Sequence, residues 1–377
     1  MNIGVMKSLD AVIGRLAASL LARPDVTPRP CPITTILLIR PGGIGDAVHL
    51  IPAIDAVKAA YPDAAIDILA EKRNSAIFRL SPHVRRIFHY DRPAELFHAL
   101  RTPYDVVVDT EQWHRLSAVV ARLTRAPRLI GFATNERARL FTHPIAYAQD
   151  DYEIDSFFRL LAPLGIEPRE VSGPFLAVPP AAVERAEVLL EKLVGKAYVT
   201  IFPGASIPER RWGAERFGRI AGLLAALGVA VVVVGGREDA GLGETIIGGG
   251  GGLNLAGRTS LSETAAVIQR SALLVSGDSG VLHIAVGLGK PTVSLFGPGR
   301  ARKWAPRGER HVAITKELPC SPCTTFGTTP PCPMDAQCMK EITVDEVFNA
   351  VMMLLTATGA LPSSCCTRDW IGVADAS

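Results

Sequence analysis

The stretch ILLIRPGGIGDAVHLIPA, residues 36–53, decides the fold. It opens with a short apolar run ending in Arg40, the pattern of a strand buried on both faces. A glycine-rich turn follows, and a helix is expected from about Gly45 to Tyr61. Gly42, Gly43 and Gly45 let the backbone approach a ligand closely, and the helix N-terminus behind them favours anions. Asp46 stands at the start of that helix, where a carboxylate is stabilised as the anion; taken alone it reads equally well as a capping residue. The loop has neither the G-x-G-x-x-G spacing nor the P-loop lysine, which weakens the dinucleotide and NTPase readings.

Outward from this stretch the chain alternates strands and helices. AIDILA (65–70), RRIFHY (85–90), YDVVVD (104–109) and RLIGF (128–132) read as strands, and 113–123 and 152–164 as helices. The Pro/Gly-rich residues 173–180 read as a linker. The alternation then restarts with YVTIF (198–202), a helix near 214–227, VAVVVV (229–234), LLVS (273–276) and TVSLF (292–296). This pattern predicts an α/β protein of two doubly wound parallel-sheet domains, with ligands bound in a cleft at the carboxyl ends of both sheets. The expected divisions are an N-terminal extension at 1–33, a first domain at 34–178, a second at 179–345, and a helix and tail at 346–377. The pattern does not place that last helix (344–355); packing back across the domains is one option.

At 377 residues the length suits two domains, and 48% hydrophobic content supplies both cores. A net charge of +3 gives no sign of a nucleic-acid binder. The longest uncharged stretch, 220–236, is split by Gly228 and falls short of the ~20 residues of a membrane span. No secretory signal is recognisable, so the chain reads as cytoplasmic. In the extension, Leu9, Val12, Ile13, Leu16, Leu20 and Leu21 recur at helical spacing, with Lys7, Asp10, Arg15 and Arg23 on other faces. Such a helix either packs on the body or another subunit, or lies on an anionic membrane surface such as the cytoplasmic face of an inner membrane.

In the second half, FPGASIPERRW (202–212) follows a strand. Gly204, Ala205 and Ser206 form a turn with free amides, and Arg210 and Arg211 lie within reach of a phosphate placed there. VVVVGGRE (231–238) ends in Glu238, an acid for a ribose hydroxyl or for a helix start. In LLVSGDSGVLHIAVG (273–287) Asp278 is expected to cap a short helix whose amides at Ser279, Gly280 and Val281 face a diphosphate, with His283 one turn on as a brace. Cys320, Cys323, Cys332 and Cys338 follow as C-x2-C-x8-C-x5-C, the composition of a closed thiolate metal knuckle or of reduced thiols in a Pro-rich loop. Ligation by four thiolates does not separate zinc from iron. Cys365 and Cys366 look incidental.

The order of these signals resembles glycosyltransferase family 9, the heptosyltransferase-type transferases, from about Ile36 to Val347. The resemblance implies a GT-B fold, two Rossmann-like domains facing across a cleft. It also implies inverting transfer of a sugar, usually heptose from an ADP-activated donor, onto a lipopolysaccharide-core acceptor without a catalytic metal. Carried over by position, Asp46 matches the family's general base, and Ser206 and Arg210 its phosphate-contacting turn, with Arg211 a rival to Arg210. Glu238 matches the ribose acid, and Asp278, Ser279, Gly280 and Val281 the sugar- and phosphate-binding segment. Thr259 falls where the base packs. Cys-rich inserts ending in C-M-K occur in part of the family, and in one branch, which heptosylates autotransporter proteins, such a finger holds iron. The implied partners are an ADP-sugar donor and a glycolipid, glycan or protein acceptor; an oligomer is compatible. Acceptor loops are placed around 111–115 and 135–139, with Arg115, Arg137 and Arg139 suited to an anionic lipid core or to ordinary surface duty.

Other classes stay open on the residues alone. Glu71, ending the second strand, suits an NAD-dependent oxidoreductase, against which the glycine spacing argues. A nucleotide-sugar epimerase of the same fold is a third enzyme class, and an assembly protein built on the cysteine knuckle is the non-enzyme alternative.

Overall fold

The structure is a computed structural model that describes residues 10–25 and 32–361. It separates into two compact units dividing between Ala177 and Val178; the short segments 302–304 and 324–328 belong with the first.

The first unit holds six parallel strands: β1 (Thr35–Arg40), β2 (Ala65–Ala70), β3 (Val84–His89), β4 (Val106–Asp109), β5 (Arg128–Phe132) and β6 (His143–Ile145). Their order is β3-β2-β1-β4-β5-β6. β1, β2 and β4 are buried along nearly their whole length because helices cover both faces, which is why they read as continuous apolar runs. The Ile44–Ala60 helix is buried from Ala47 through Ile54 on all sides, being packed between the sheet and the Glu153–Arg159 helix. Gly42 has φ +112°, a conformation only glycine adopts freely, and turns the chain from β1 into this helix.

The second unit repeats the plan with β7 (Tyr198–Phe202), β8 (Ala230–Val233), β9 (Leu253–Asn254), β10 (Leu273–Gly277), β11 (Thr292–Phe296) and β12 (His311–Thr315), in the order β12-β11-β10-β7-β8-β9. Counted from each unit's own first strand, both sheets run 3-2-1-4-5-6, the doubly wound order. The core joins Val199, Ile201, Phe217, Leu224, Val275 and Val293 with Val347, Val351 and Leu354. The final helix, Val344–Ala357, therefore seals its own domain's sheet. Its apolar face repeats at 344, 347, 351, 354 and 355, and a Thr343/Glu346 capping box fixes its start.

Several element bounds differ from the sequence reading. The 113–123 helix begins at Arg115, and the 152–164 helix breaks into Glu153–Arg159 plus a 3-10 turn at Ala162–Leu164. The short strands β6, β9 and β12 were not expected: each is at most half-buried, so none carries a continuous apolar run. No helix among the described residues is long and apolar enough to cross a membrane. Leu9, Lys7, Cys365 and Cys366 lie outside the described residues.

Candidate active site

In a sheet of this order, ligands bind where the chain reverses direction, between the first and fourth strands. In the first unit that point lies beyond the ends of β1 and β4, and Asp46 stands there, half-buried in the first turn of the Ile44–Ala60 helix. Gln112, just past β4, bridges two carboxylates: its Nε2 donates to Glu153 Oε1 and lies a long 3.5 Å from Asp46 Oδ1. Glu153 is fully buried; Lys303 Nζ sits 2.5 Å from its Oε2, and Lys303 also donates to Tyr147 Oη at 2.6 Å. Burial, seconded by the Asp46 charge, pushes the Glu153 carboxyl upward against the pull of Lys303. The two acids are thus neighbours that repel: the fold spends a lysine on the inner one, while Asp46 faces the Gln112 amide and feels the buried Arg40 charge.

Beneath the loop, Arg40 is buried and donates from Nε to Pro41 O (2.7 Å), from Nη1 to Thr110 O (2.8 Å) and from Nη2 to Glu111 (3.2 Å). Burial opposes its charge, but Asp46, Glu111, Glu153 and Asp109 more than compensate and hold it protonated. Arg40 therefore ties the end of β1 to the end of β4, fixing both walls of the crevice. None of Arg40, Gln112, Glu153 or Lys303 was singled out from sequence. Arg40 had a signal, an arginine closing an apolar strand; the other three are joined only by the fold, Lys303 and Glu153 being far apart in the chain.

The arginines expected to face an acceptor divide. Arg137 is fully buried and bonds Asp109 and the Glu111 carbonyl, so it is corrected from an acceptor contact to a core brace. Arg115 is held by Glu136 at 2.7 Å, and Arg139 donates to Ser19 O. Trp113 stacks on Phe326 at 4.3 Å, and the two share a recess of about 290 Å³ with Asp10, His114 and Arg115.

In the second unit the reversal lies between β7 and β10, and the phosphate-type turns flank it. Ser279, not Asp278, caps the Gly280–Gly287 helix, its Oγ accepting from Leu282 N at 3.3 Å. Two good capping residues stand side by side, and Asp278 is taken up by Arg210 instead, Nη1 to Oδ2 3.1 Å. The two arginines differ in setting: Arg210, paired with Asp278, is half-buried, and Arg211 is exposed. Gly299 lies against Asp278, where a Cβ would collide with Oδ2, so the loop after β11 also belongs to the site. Ser206 is exposed on its turn, and Val281 packs against a satellite core at the head of the short helix. His283 is buried, and burial pushes its pKa down to about 3, so it is neutral.

Glu238 is exposed, whereas Asp239 is buried, accepts from Gly236 N at 2.9 Å and fills space that side chains at Gly204 or Gly235 would occupy. Thr259 Oγ1 bonds Thr264 Oγ1 at 2.8 Å just before a capped helix. Glu71 pairs with Arg73 at 2.5 Å.

Cys338 is buried in the second core beside Met339, Cys320 is exposed, and Cys332 Sγ accepts from Ala336 N at 3.3 Å. Burial raises the Cys323 and Cys338 thiols, and the neighbouring thiols add to it. Among the described residues no three or more His, Cys, Asp or Glu side chains are arranged to hold a metal ion, so in this arrangement the four thiols do not close a cage.

Residues 94–332, more than half of the chain, match the model of glycosyltransferase family 9 (heptosyltransferase). Lipopolysaccharide heptosyltransferase 3 of Escherichia coli is 28% identical over 286 residues, 70% of this chain and 83% of that protein. Lipooligosaccharide heptosyltransferase 2 of Haemophilus influenzae is 26% identical over 306 residues, 74% of this chain and 88% of that one. Among solved structures, E. coli ADP-heptose lps heptosyltransferase II superposes with a TM-score of 0.71 at 21% identity, covering 87% of this chain and all of that one. The iron-containing dodecameric glycosyltransferase TibC of enterotoxigenic E. coli H10407 gives 0.58 at 14% identity, covering 89% and 78%. These likenesses show the GT-B fold.

Proposed function

Since the chain belongs to glycosyltransferase family 9, we propose that it transfers heptose from ADP-heptose to a lipopolysaccharide-core type of acceptor, with inversion at the anomeric carbon and without a catalytic metal. The observation that carries this reading is the pairing of unlike reversal points. One presents a half-buried carboxylate, Asp46, near the Gln112 amide and the buried Arg40; the other presents Arg210 against Asp278, next to the amino end of a short helix. Inverting transfer needs these two kinds of site. Asp46 takes the proton from the acceptor hydroxyl as its oxygen attacks the anomeric carbon, and the bond to the diphosphate breaks. Arg210 and the amides of Ser279, Gly280 and Val281 stabilise the negative charge on the departing ADP. Glu238 holds the ribose hydroxyls, Ser206 contacts phosphate and Thr259 lines the base. The heptosyltransferases among its relatives support ADP-heptose as donor and a lipopolysaccharide or lipooligosaccharide acceptor.

A structural ion on Cys320, Cys323, Cys332 and Cys338 is a second proposal, supported by spacing and donor chemistry and not by the arrangement of the thiols. Metal analysis of the purified protein decides it: about one iron or zinc per chain upholds it, and a trace amount discards it.

The functional test is incubation with ADP-heptose and purified lipopolysaccharide core, read by mass. A product heavier by one heptosyl unit together with released ADP is the expected result. Turnover of a UDP- or GDP-sugar with none of ADP-heptose would keep the fold and discard the donor.

A further inference from the structure

The N-terminal helical segment is mounted with its apolar side outward. Asp10, Gly14 and Ala18, four residues apart, face the body of the first unit. Asp10 Oδ1 accepts from the backbone N–H groups of Arg115 (2.7 Å) and Leu116 (2.8 Å), capping the Arg115–Leu123 helix from a distant part of the chain. A Cβ at Gly14 would meet Arg115 Cβ at 3.2 Å, and Ala18 is fully buried among Ala118, Leu140 and their neighbours. At the far end Arg139 donates to Ser19 O (2.6 Å) and Arg122 to Ala22 O (3.0 Å). Polar bonds at both ends and close contact between small residues fix the rotation of the segment about its axis.

That rotation leaves Val12, Ile13, Leu16 and Leu20 exposed at 61, 52, 59 and 83%. Of the apolar face read from the sequence, only Leu21 among these described residues packs against the core of the body; the small residues win the close contact and the other four large ones point out. A row of large aliphatic side chains on a segment already anchored by its other face has no role in holding the fold.

We infer that this face seats in the interfacial layer of an anionic phospholipid bilayer. The charges around it choose the occupant. Arg15, Arg23 and Arg125 are exposed, and Arg122 and Arg139 are held at the end of the row by their bonds to residues 19 and 22. Against these five arginines stand two acids, Glu136, shared between Arg15 and Arg115, and the exposed Asp25. Aliphatic side chains flanked by guanidinium groups match lipid tails beneath anionic headgroups. A second copy fits less well, since a twofold contact would bring two sets of these arginines together, and four side chains are far fewer than the 20–30 residues a side of a standard interface. The segment is too short to span, so it lies in the plane of the surface. This inference does not depend on the identity of donor or acceptor.

The test is flotation of the full chain with vesicles of phosphatidylcholine alone and with about 30% phosphatidylglycerol, at low and high salt. The wild type is expected to float with the anionic vesicles, less at high salt. Leu16→Glu/Leu20→Glu, at exposed positions that leave folding intact, is expected to reduce binding roughly tenfold or more with an unchanged melting temperature. Val188→Glu, at an exposed apolar site on the second unit, is the control that keeps wild-type binding. Failure of the wild type to float, or undiminished flotation of the double variant, overturns the inference. So does a wild-type dimer in sedimentation that the double variant dissolves without any vesicle binding, which would assign the face to a second copy.

Discussion

The two reversal points share one topology and differ in electrostatics. The first is crowded with acids, Asp46, Glu153, Glu111 and Asp109, and the chain balances the three inner ones with buried Lys303, Arg40 and Arg137. Asp46, the one acid of the four that is only half-buried, shares the Arg40 charge and faces the Gln112 amide. At the second the acids are fewer: Asp239 accepts from Gly236 N, and Asp278 is engaged by a guanidinium beside a helix amino terminus, an arrangement that favours an anion. On the proposed reading, one plan of strands supplies a base in one unit and an anion site in the other, and the side chains just past the first and fourth strands make the difference.

The largest expected effect tests how the first point is held together. Arg137→Ala removes one partner of a buried ion pair and strands Asp109, and about 3–5 kcal/mol of stability should be lost. Urea denaturation measures it; a loss under 1 kcal/mol would mean that Asp109 finds another partner.

Next, Arg210→Ala should lower turnover with donor by about 10²–10³-fold, the effect of deleting one preorganised donor to a developing oxyanion, while Arg211→Ala changes it little. Equal effects of the two would erase the distinction drawn from the Asp278 pair. Glu238→Ala is expected to weaken ADP binding by roughly tenfold, the loss of about one charged hydrogen bond, with kcat unchanged; titration calorimetry reads the binding. An effect as large from Asp239→Asn with the fold intact would reverse the roles of these acids.

The most gradual effect concerns His283, neutral because burial holds its pKa near 3. Its folded value lies below the ordinary one near 6.5, so between those pH values the unfolded chain binds more protons and stability falls as pH drops. Melting temperature should decline from about pH 6.5 downward with a slope of one proton from this residue, joined by His311, which burial also lowers, to about 4. A flat profile from pH 7 to 5 would show that neither histidine is sealed from water.

The strands buried on both faces were legible in the sequence because each leaves an uninterrupted apolar run, as ILLIR and LLVS do. The glycine turns were legible because Gly42 needs a positive φ and Gly299 a vacant Cβ position, although only the first was noticed. The edge strands were not, being half-exposed and short. At Asp278 and Ser279 local rules offered two caps, and a distant arginine made the choice. Glu153 and Lys303 illustrate the limit: neither has a local reason to be buried, and each is tolerated there because the fold supplies the other. The N-terminal helix shows the same limit from the surface, since periodicity names an apolar face but not the side on which small residues permit closer approach.

The account rests on Asp46 as base and on the second unit as the nucleotide site. Steady-state ADP release by Asp46→Asn, with ADP affinity measured on the same sample, tests both together. Turnover should fall about 10²–10⁴-fold while the Kd for ADP stays within about twofold of wild type. Turnover near the wild-type rate, or a matching collapse of ADP binding, would contradict it.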